Sequence, residues 1–412
     1  MMDELVAVGT ELMRGINADA VLRQLRAEPS MTVSALAKKV GLSRQAVTRS
    51  LVALEAEGLV EFSAPERNAA KVGRPAQRVR FRAESGRLLG LSISPQDVRV
   101  AVSDLAGAIV ATSTVQLDAG TSGADGVEVL VATVQQATKD ADIWFATVGA
   151  PGIVDLDAQV IKLIPSKPGL AGDIVVRRLS EVLTCPVHLD NDVKLATQGE
   201  RWRGAQRRED SVVMIHWGER VGAGIVLQGE LYRGASNDSG DIGFLDLLAG
   251  ETRTNPDGLG PFEDWVGADE IVRLSGLQTT FEEVLDAYVA GHPAAVGAIE
   301  TVAGRFAKGV AAIRSILDPQ LVVIGGPMAR CGEPLLEAIR RHLDSQALNQ
   351  PPLAVSSLGD DAVVYGALHH CLAEIERTRF ERVRSSIRRA AARGPLPAEA
   401  PPAAIGEGES HA

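Results

Sequence analysis

Cysteine is scarce in this sequence: Cys185, Cys331 and Cys371 stand far apart among 412 residues, with no CxxC pair. That spacing excludes a disulfide framework and a cysteine zinc site, and leaves buried structural thiols as the reading. No apolar run of about 18 residues occurs, the length at which a spanning helix is read. The opening "MMDELVAVGTELMRG" carries acids where a secretory leader would carry bases. Both absences predict a cytoplasmic protein with no membrane partner. Neither a strict internal repeat nor a coiled-coil heptad is visible.

Positive charge is also short. A formal net charge of −11 argues against a chain that coats nucleic acid along its whole length. The deficit is uneven, however. Residues 1–88 hold 14 Lys and Arg against 10 Asp and Glu, a net of +4, so the remainder carries −15. Between 62 and 82 there are six basic side chains and one acid, Glu66. A small basic module on an acidic body favours local contact with nucleic acid.

Within that module, "NADAVLRQLRAEP" (17–29) opens on capping residues, puts Val21, Leu22 and Leu25 on one face and stops at Pro29. A second helix follows the i, i+3, i+4, i+7 rule from Thr32 through Val33, Leu36, Ala37 and Val40, and Gly41 ends it. Ser43 can cap a third, with Val47, Leu51 and Leu54 as its buried stripe. The "VGLS" turn has the length a helix-turn-helix requires. The outer face of the third helix presents Ser43, Arg44, Gln45, Thr48 and Arg49, residue types that reach base edges and phosphates from a major groove. Two strand-like segments then flank a basic loop, which reads as a wing: Lys71, Arg74 and Arg78 are its candidate DNA contacts, with Arg74 at a Gly-Arg-Pro tip suited to a minor groove. The expected partner is double-stranded operator DNA.

From residue 86 to 375, strand-like runs such as "VRVAV", "AIVATSTV", "IWFATVG", "SVVMIHW", "AGIVLQ" and "LVVIGG" alternate with helical ones. The alternation predicts an α/β body, and its length favours two lobes. Residues 376–412 form an arginine-rich, then Pro/Ala-rich tail, expected to be disordered, although its first part, 377–393, can instead continue the terminal helix.

Several motifs in fixed order carry a resemblance: "APGIVD", "LDND", "VGAGIVLQGELYRGASNDSGDIG", "VVIGG" and "GDDAVVYGALHH". In glycine spacing and order they resemble the ROK family, which joins sugar kinases to sugar-responsive repressors, among them N-acetylglucosamine and xylose repressors. The family shares a two-lobed, actin-like ATPase fold, and its repressors add an N-terminal winged helix. The resemblance implies the same architecture here: a winged helix-turn-helix in residues 1–85 and a ROK sugar-kinase-like body in 86–375.

The resemblance also implies roles for particular residues. In the kinases, the aspartate of an Asn-Asp pair takes the proton from the attacking sugar hydroxyl. Asn191-Asp192 matches that pair, with Lys194 where the family has Asn. The family's Glu-x-Gly-His becomes Asp241, Ile242, Gly243, Phe244, so the acid is one methylene shorter and the histidine is gone. A second family glutamate is matched by Glu263. Gly152 of "APGIVD", Asn191, Asp192, Asp241 and Glu263 are thus the candidate effector contacts, with Asp192 vestigial as a catalyst. The family's zinc loop is missing, since "FLDLLAGETRTNPDGLGPF" offers no Cys or His, and no metal or other cofactor is expected.

Both phosphate loops depart from the family as well. Where kinases carry Asp-x-Gly-Gly-Thr, this chain has Ser92, Ser94, Pro95 and Gln96. Where they carry Gly-Thr-Gly, it has Gly218, Glu219 and Arg220. Proline removes an N–H and the glutamate repels a triphosphate. Arg220 and Lys194 are candidates either to hold the phosphate of a sugar phosphate or to pair with a neighbouring carboxylate. The expected protein is a non-enzymatic repressor, a homodimer or homotetramer, whose cleft senses a sugar or sugar phosphate. The alternative is a sugar kinase with an appended DNA-binding head.

Overall fold

The computed structural model describes residues 17–63, 77–118, 120–139, 141–164, 167–204, 209–247, 259–344 and 349–392. The chain divides into two compact units, Met1–Arg82 with Glu376–Ala412, and Ala83–Ile375.

In the first unit, helix α1 covers 17–27. Strand β1 (Ser30–Thr32), α2 (Val33–Val40), α3 (Arg44–Ala56), β2 (Val60–Ser63) and β3 (Arg78–Phe81) follow. Helices α2 and α3 are each capped at their start, α3 by the expected Ser43. The Thr32 hydroxyl accepts from the Ala35 N–H at 3.2 Å, and the Ser43 hydroxyl from the Ala46 N–H at 3.2 Å. Gly41 takes φ +68, the left-handed geometry that ends α2. Leu22, Leu25, Leu36, Leu51 and Val79 are fully buried together with Val47, so the three amphipathic stripes make one small core. The sequence pattern missed β1. It is three residues long, and only pairing with β3, in sheet order β1-β3-β2, reveals it as a strand.

The body contains two sheets of the same design. The first uses β4 (Arg87–Ile93), β5 (Asp97–Asp104), β6 (Ile109–Gln116), β7 (Ile143–Ala150) and, after the β8 (Ile153–Asp155) and β9 (Val160–Leu163) hairpin, β10 (Val187–Asn191). Helices α4 (Gly123–Ala137) and α5 (Ile174–Val182) pack on it. Its order is β10-β7-β4-β5-β6, parallel on the β10 side and antiparallel on the β6 side. Every residue of β7 is buried, as expected for a central strand covered on both faces.

After α6 (Asp192–Arg203), the second sheet uses β11 (Val212–Trp217), β12 (Val221–Leu227), β13 (Glu230–Tyr232), β14 (Leu321–Gly325) and β15 (Leu353–Val355). Its order, β13-β12-β11-β14-β15, repeats the parallel and antiparallel pattern of the first. That repeat is one of topology, without matching residues. Helices α7 (Pro261–Val266), α8 (Ala268–Ser275), α9 (Phe281–Val289), α10 (Pro293–Leu317) and α11 (Gly332–Leu343) belong to this lobe. Trp217 anchors its core, stacked on Phe306 at 3.8 Å between ring centroids, and its indole N–H donates to the Val266 carbonyl at 2.8 Å.

Helix α12 (Ala362–Ala392) carries the arginine-rich run through Ala392 as helix, the continuation that the sequence left open for 377–393. The remainder, 393–412, lies outside the described residues. Among the described residues, no helix is long and apolar enough to cross a membrane.

Two contacts fix the body part of α12. A Cβ on Gly366 would lie 1.7 Å from the Leu195 carbonyl oxygen, and one on Gly199 would lie 2.1 Å from that of Ala362. Helices α6 and α12 therefore touch backbone to backbone. Further along, His370 lies over the first sheet, with Nδ1 at 2.9 Å from the Thr147 hydroxyl and its ring stacked on His188 at 4.3 Å. Burial, followed by the neighbouring His188, lowers the His370 pKa from 6.5 to about 4 against the opposing pull of Asp190 and Glu374.

Two outcomes are expected. Gly366→Ala forces α6 and α12 apart and should destabilise the body by about 3 kcal/mol, the upper range for overpacking, read as a lower urea midpoint. Because the folded pKa of His370 lies below its unfolded value, the unfolded chain binds the extra proton. Stability is therefore complete above pH 6.5 and declines toward pH 4, by about 3 kcal/mol for a shift of this size. His370→Gln should flatten that part of the urea midpoint plotted against pH.

Candidate functional site

The first candidate surface lies on α3. Ser43, Arg44, Gln45, Thr48 and Arg49 are all exposed, while Val47, Ser50 and Leu51 turn inward. Thr48 donates its hydroxyl to the Arg44 carbonyl at 2.9 Å, and Arg49 Nε lies 3.4 Å from the Gln45 carbonyl. Both are local bonds on an exposed face. Arg78 differs from this group. Its guanidinium is tied to Ser30, by Nε to the hydroxyl at 3.3 Å and by NH2 to the carbonyl at 3.1 Å, and so fastens β3 to β1. Lys71 and Arg74 lie outside the described residues.

The second candidate is a cleft of about 670 Å3 in the body, lined from both sheets. Gly152, Asn191, Asp192, Asp241 and Glu263, far apart in sequence, all line it. Its floor is the junction of β10 and α6. Asn191 caps α6, its Oδ1 accepting from the Lys194 N–H at 3.1 Å, while its Nδ2 donates to the Gly152 carbonyl at 3.0 Å. Gly152 adopts φ +97, and a Cβ there would sit 2.2 Å from the Leu163 carbonyl oxygen. Asp192 follows as the first residue of α6. Burial pushes its carboxyl above the ordinary range, opposed by His216 and the backbone N–H of Val193.

Asp190 supports this floor from behind. It is fully buried and forms a two-pronged ion pair with Arg233, at 2.6 and 3.0 Å. Arg233 also donates to Asn237 at 3.0 Å, and Asn237 Nδ2 reaches the Val154 carbonyl at 3.3 Å. The loop after β13 is thereby laced to the first lobe. Lys194 belongs to the same lacing: it is buried, and its ammonium donates to the Asn237 carbonyl. Loss of solvent lowers its pKa, with Asp241 opposing. It is not among the described residues that line the cleft.

On the opposite wall, Glu263 is committed on both oxygens. It accepts from Arg220 NH1 at 3.0 Å, from the Gly260 N–H at 3.0 Å and from the Val221 N–H at 3.1 Å. Of the two roles open to Arg220, pairing with a carboxylate is the one realised. Asp241 stands near the rim with its pKa raised by desolvation, Lys194 opposing. Phe244, which replaces the family histidine, is 53% exposed and faces the same cleft.

The two phosphate-loop positions meet here in an arrangement that the sequence alone does not reveal. In the Ser94–Gln96 turn the Ser94 hydroxyl accepts from the N–H of Gln96 at 3.2 Å and of Asp97 at 3.0 Å. Pro95 has no N–H to offer. On the other lobe the Gly218 N–H donates to the Arg220 carbonyl at 3.1 Å. Gln96 Nε2 then bonds to Glu219 at 3.0 Å and joins the two turns. Beside them, Arg99 bridges the lobes, paired with Asp97 at 2.7 Å, Asp360 at 3.0 Å and Asp361 at 3.1 Å. Composition carries no trace of these pairings; the run Asp190-Asn191-Asp192 was the one visible hint.

Comparison with known proteins bears on both units. A family model described as MarR family matches residues 19–71. A putative xylose repressor from Caldicellulosiruptor sp. (strain Rt8B.4) is 25% identical over 386 residues, covering 87% of this chain and 95% of its own length. The xylose repressor of Bacillus subtilis (strain 168) is 21% identical, with 86% and 94% covered. A glucokinase from Halalkalibacterium halodurans is 27% identical over 250 residues, 55% of this chain and 75% of that enzyme. Among solved structures, a ROK family transcriptional regulator homologous to the E. coli MLC protein superposes with a TM-score of 0.72 at 18% identity, covering 91% of this chain and 99% of that one. A ROK family glucokinase from Streptomyces griseus gives 0.61 at 22% identity, covering 69% and 99%. At such identities the superpositions bear on the fold alone, an N-terminal winged helix-turn-helix followed by a two-lobed, actin-like body. The ROK family model matches residues 88–374, more than half the chain, and the chain belongs to that family.

Proposed function

We propose that this protein is a DNA-binding transcriptional repressor that responds to a sugar or sugar derivative held in a former kinase cleft. The observation that carries this reading is the closed phosphate turn. Phosphate grips need free backbone N–H groups and close approach. Here the Ser94 hydroxyl holds the N–H groups of Gln96 and Asp97, and Gln96 is joined to Glu219. The sugar half of the cleft keeps its acid on the floor at Asp192. The xylose repressors among its relatives match nearly their whole length, which supports the same division of labour.

In this reading Arg44, Gln45, Thr48 and Arg49 enter a major groove, and Lys71 and Arg74 supply the further contacts, Arg74 in a minor groove. A homodimer sets two such heads about 34 Å apart, one turn of DNA, on a roughly palindromic operator. The effector acts only through a difference in affinity between two arrangements of the body. The kinase reading retains one argument: Asp192 stands where the resemblance puts the family's general base, and burial raises its carboxyl pKa.

Anisotropy titration of the protein with DNA from its own upstream region, with and without sugars, tests the main reading. Arg49→Ala and Arg74→Ala should each weaken binding roughly tenfold, as loss of one base or phosphate contact does, without shifting the melting of the body. Binding without sequence preference, lost as salt rises, would count against it. In a coupled assay over ATP and a hexose panel, turnover should stay at background; turnover abolished by Asp192→Asn would establish the kinase instead.

A further inference from the structure

The two sheets of the body end in four edge strands, and three of them are blunted. Strands β13 and β15 are three residues long, the first opening on the exposed Glu230 and the second following Pro351-Pro352. Strand β10 has five residues and carries His188 and Asp190. Short length, charge and proline are the means by which an edge is kept from pairing with another chain. Strand β6 has none of them. It runs for eight residues, "IVATSTVQ", six of them exposed, with no ionisable side chain and no proline. Isoleucine, valine and threonine fill five of the eight positions, a composition that favours strand pairing.

One side of β6 is taken by β5, and among the described residues no strand lies on the other. The Leu117 N–H donates to the Gln96 carbonyl at 2.7 Å, so Leu117 faces the β5 side. Bonding direction alternates along a strand. Thr112, Thr114 and Gln116 therefore aim their N–H and C=O groups away from β5. A register shift opposite Val102 and Ser103 ends the regular stretch near Val110. Val110 and Val115 are 50% and 36% exposed, one on each face of the strand.

Charge decides which partner suits this edge. A twofold contact sets a strip against its own copy, so a charge near the axis meets its like. This chain is acidic overall, at −11, yet the thirteen residues from Leu105 to Leu117, between Asp104 and Asp118, carry no charge. A foreign strand makes no such demand, because its charges can complement those it meets. We propose that β6 pairs antiparallel with β6 of a second copy, Ser113 lying on the twofold axis, and so joins two five-stranded sheets into one of ten. Residues opposed across such an axis share a face of the sheet. Thr112 then stands against the partner's Thr114, Ala111 against the partner's Val115 and Val110 against the partner's Gln116. The threonine pairs exchange backbone hydrogen bonds, and Ser113 meets its own copy as a close pair without them. This rests on the homodimer of the reading above and gives it an interface. Gln116 also lines the cleft, so the interface borders that space.

Sedimentation of the full chain over a range of concentrations, beside Ser113→Lys and Thr114→Pro, tests it. Lysine at 113 opposes two like charges, and proline at 114 removes an outward N–H without costing a bond to β5. The unmodified chain should associate, whether it stops at a dimer or goes on to a tetramer. Each variant should weaken one association step at least roughly tenfold, with its far-UV circular dichroism unchanged. Ser113→Cys should cross-link two copies under mild oxidation, since Cα atoms of such a pair stand about 4.5 Å apart, within disulfide reach. Val115→Cys, about 13 Å from its own copy in this register, should not. Both are compared with the unmodified protein, whose Cys331 and Cys371 are buried. A chain that stays monomeric, association left as tight by both Ser113→Lys and Thr114→Pro, or no cross-link from Ser113→Cys would overturn the proposal; sequence-selective DNA binding in the same samples would leave the repressor reading standing without it. Val115→Cys cross-linking as fast as Ser113→Cys would overturn the register.

Discussion

The backbone contact between α6 and α12 sets the geometry of the body. With glycine at 199 and 366, the two helices approach until a single Cβ on either would strike a carbonyl of the other. From that contact α6 runs in both directions toward function. Its first residue is Asp192, on the cleft floor. One residue beyond Gly199, the buried Glu200 accepts from Ser356, from Ser357 at 3.0 Å and from the Leu358 N–H at 2.8 Å. That clamp fixes the loop before Asp360 and Asp361, whose carboxylates hold Arg99 on the first lobe. A packing constraint in the core thus decides where charges stand at the cleft edge.

Electrostatics then ties the two lobes together across the cleft. A nucleotide would be held by backbone N–H groups and cations that bridge the lobes. In this chain the lobes are bridged by the protein's own groups: Gln96 with Glu219, Arg99 with the Asp360–Asp361 pair, and Asp190 with Arg233. Breaking a buried pair such as Asp190–Arg233 leaves an uncompensated charge, and this, more than any net attraction, keeps such pairs in place. These groups of the two lobes thereby satisfy one another, and Asn191 and Asp192 remain on the polar floor of the cleft.

Much of the fold was legible because it depends on local rules. Amphipathic spacing located α2 and α3, and Thr32, Gly41 and Ser43 marked their ends. Alternation located the strands of the body. What stayed hidden depended on partners distant in sequence. Strand β1 exists through β3, and the repeated topology of the two sheets leaves no residue repeat. The arginine-rich stretch after 376 is helical through Ala392; composition alone left helix and tail both open there, because it does not distinguish a solvated charged helix from a disordered segment.

The site divides along the same line. By itself the sequence determined that Gly152, Asn191, Asp192, Asp241 and Glu263 belong to motifs whose order resembles the ROK family, and that Pro95, Glu219 and Phe244 stand where the resemblance implies glycine-rich turns and a histidine. Those are statements about residue identity and order, which a chain carries without folding. Only the tertiary structure decided which of these groups are available to a ligand. Glu263 is committed to Arg220 and two backbone N–H groups, Lys194 to Asn237, and Arg78 to Ser30. A charged side chain removed from water takes whatever partner the fold brings within reach, and that partner lies tens or hundreds of residues away.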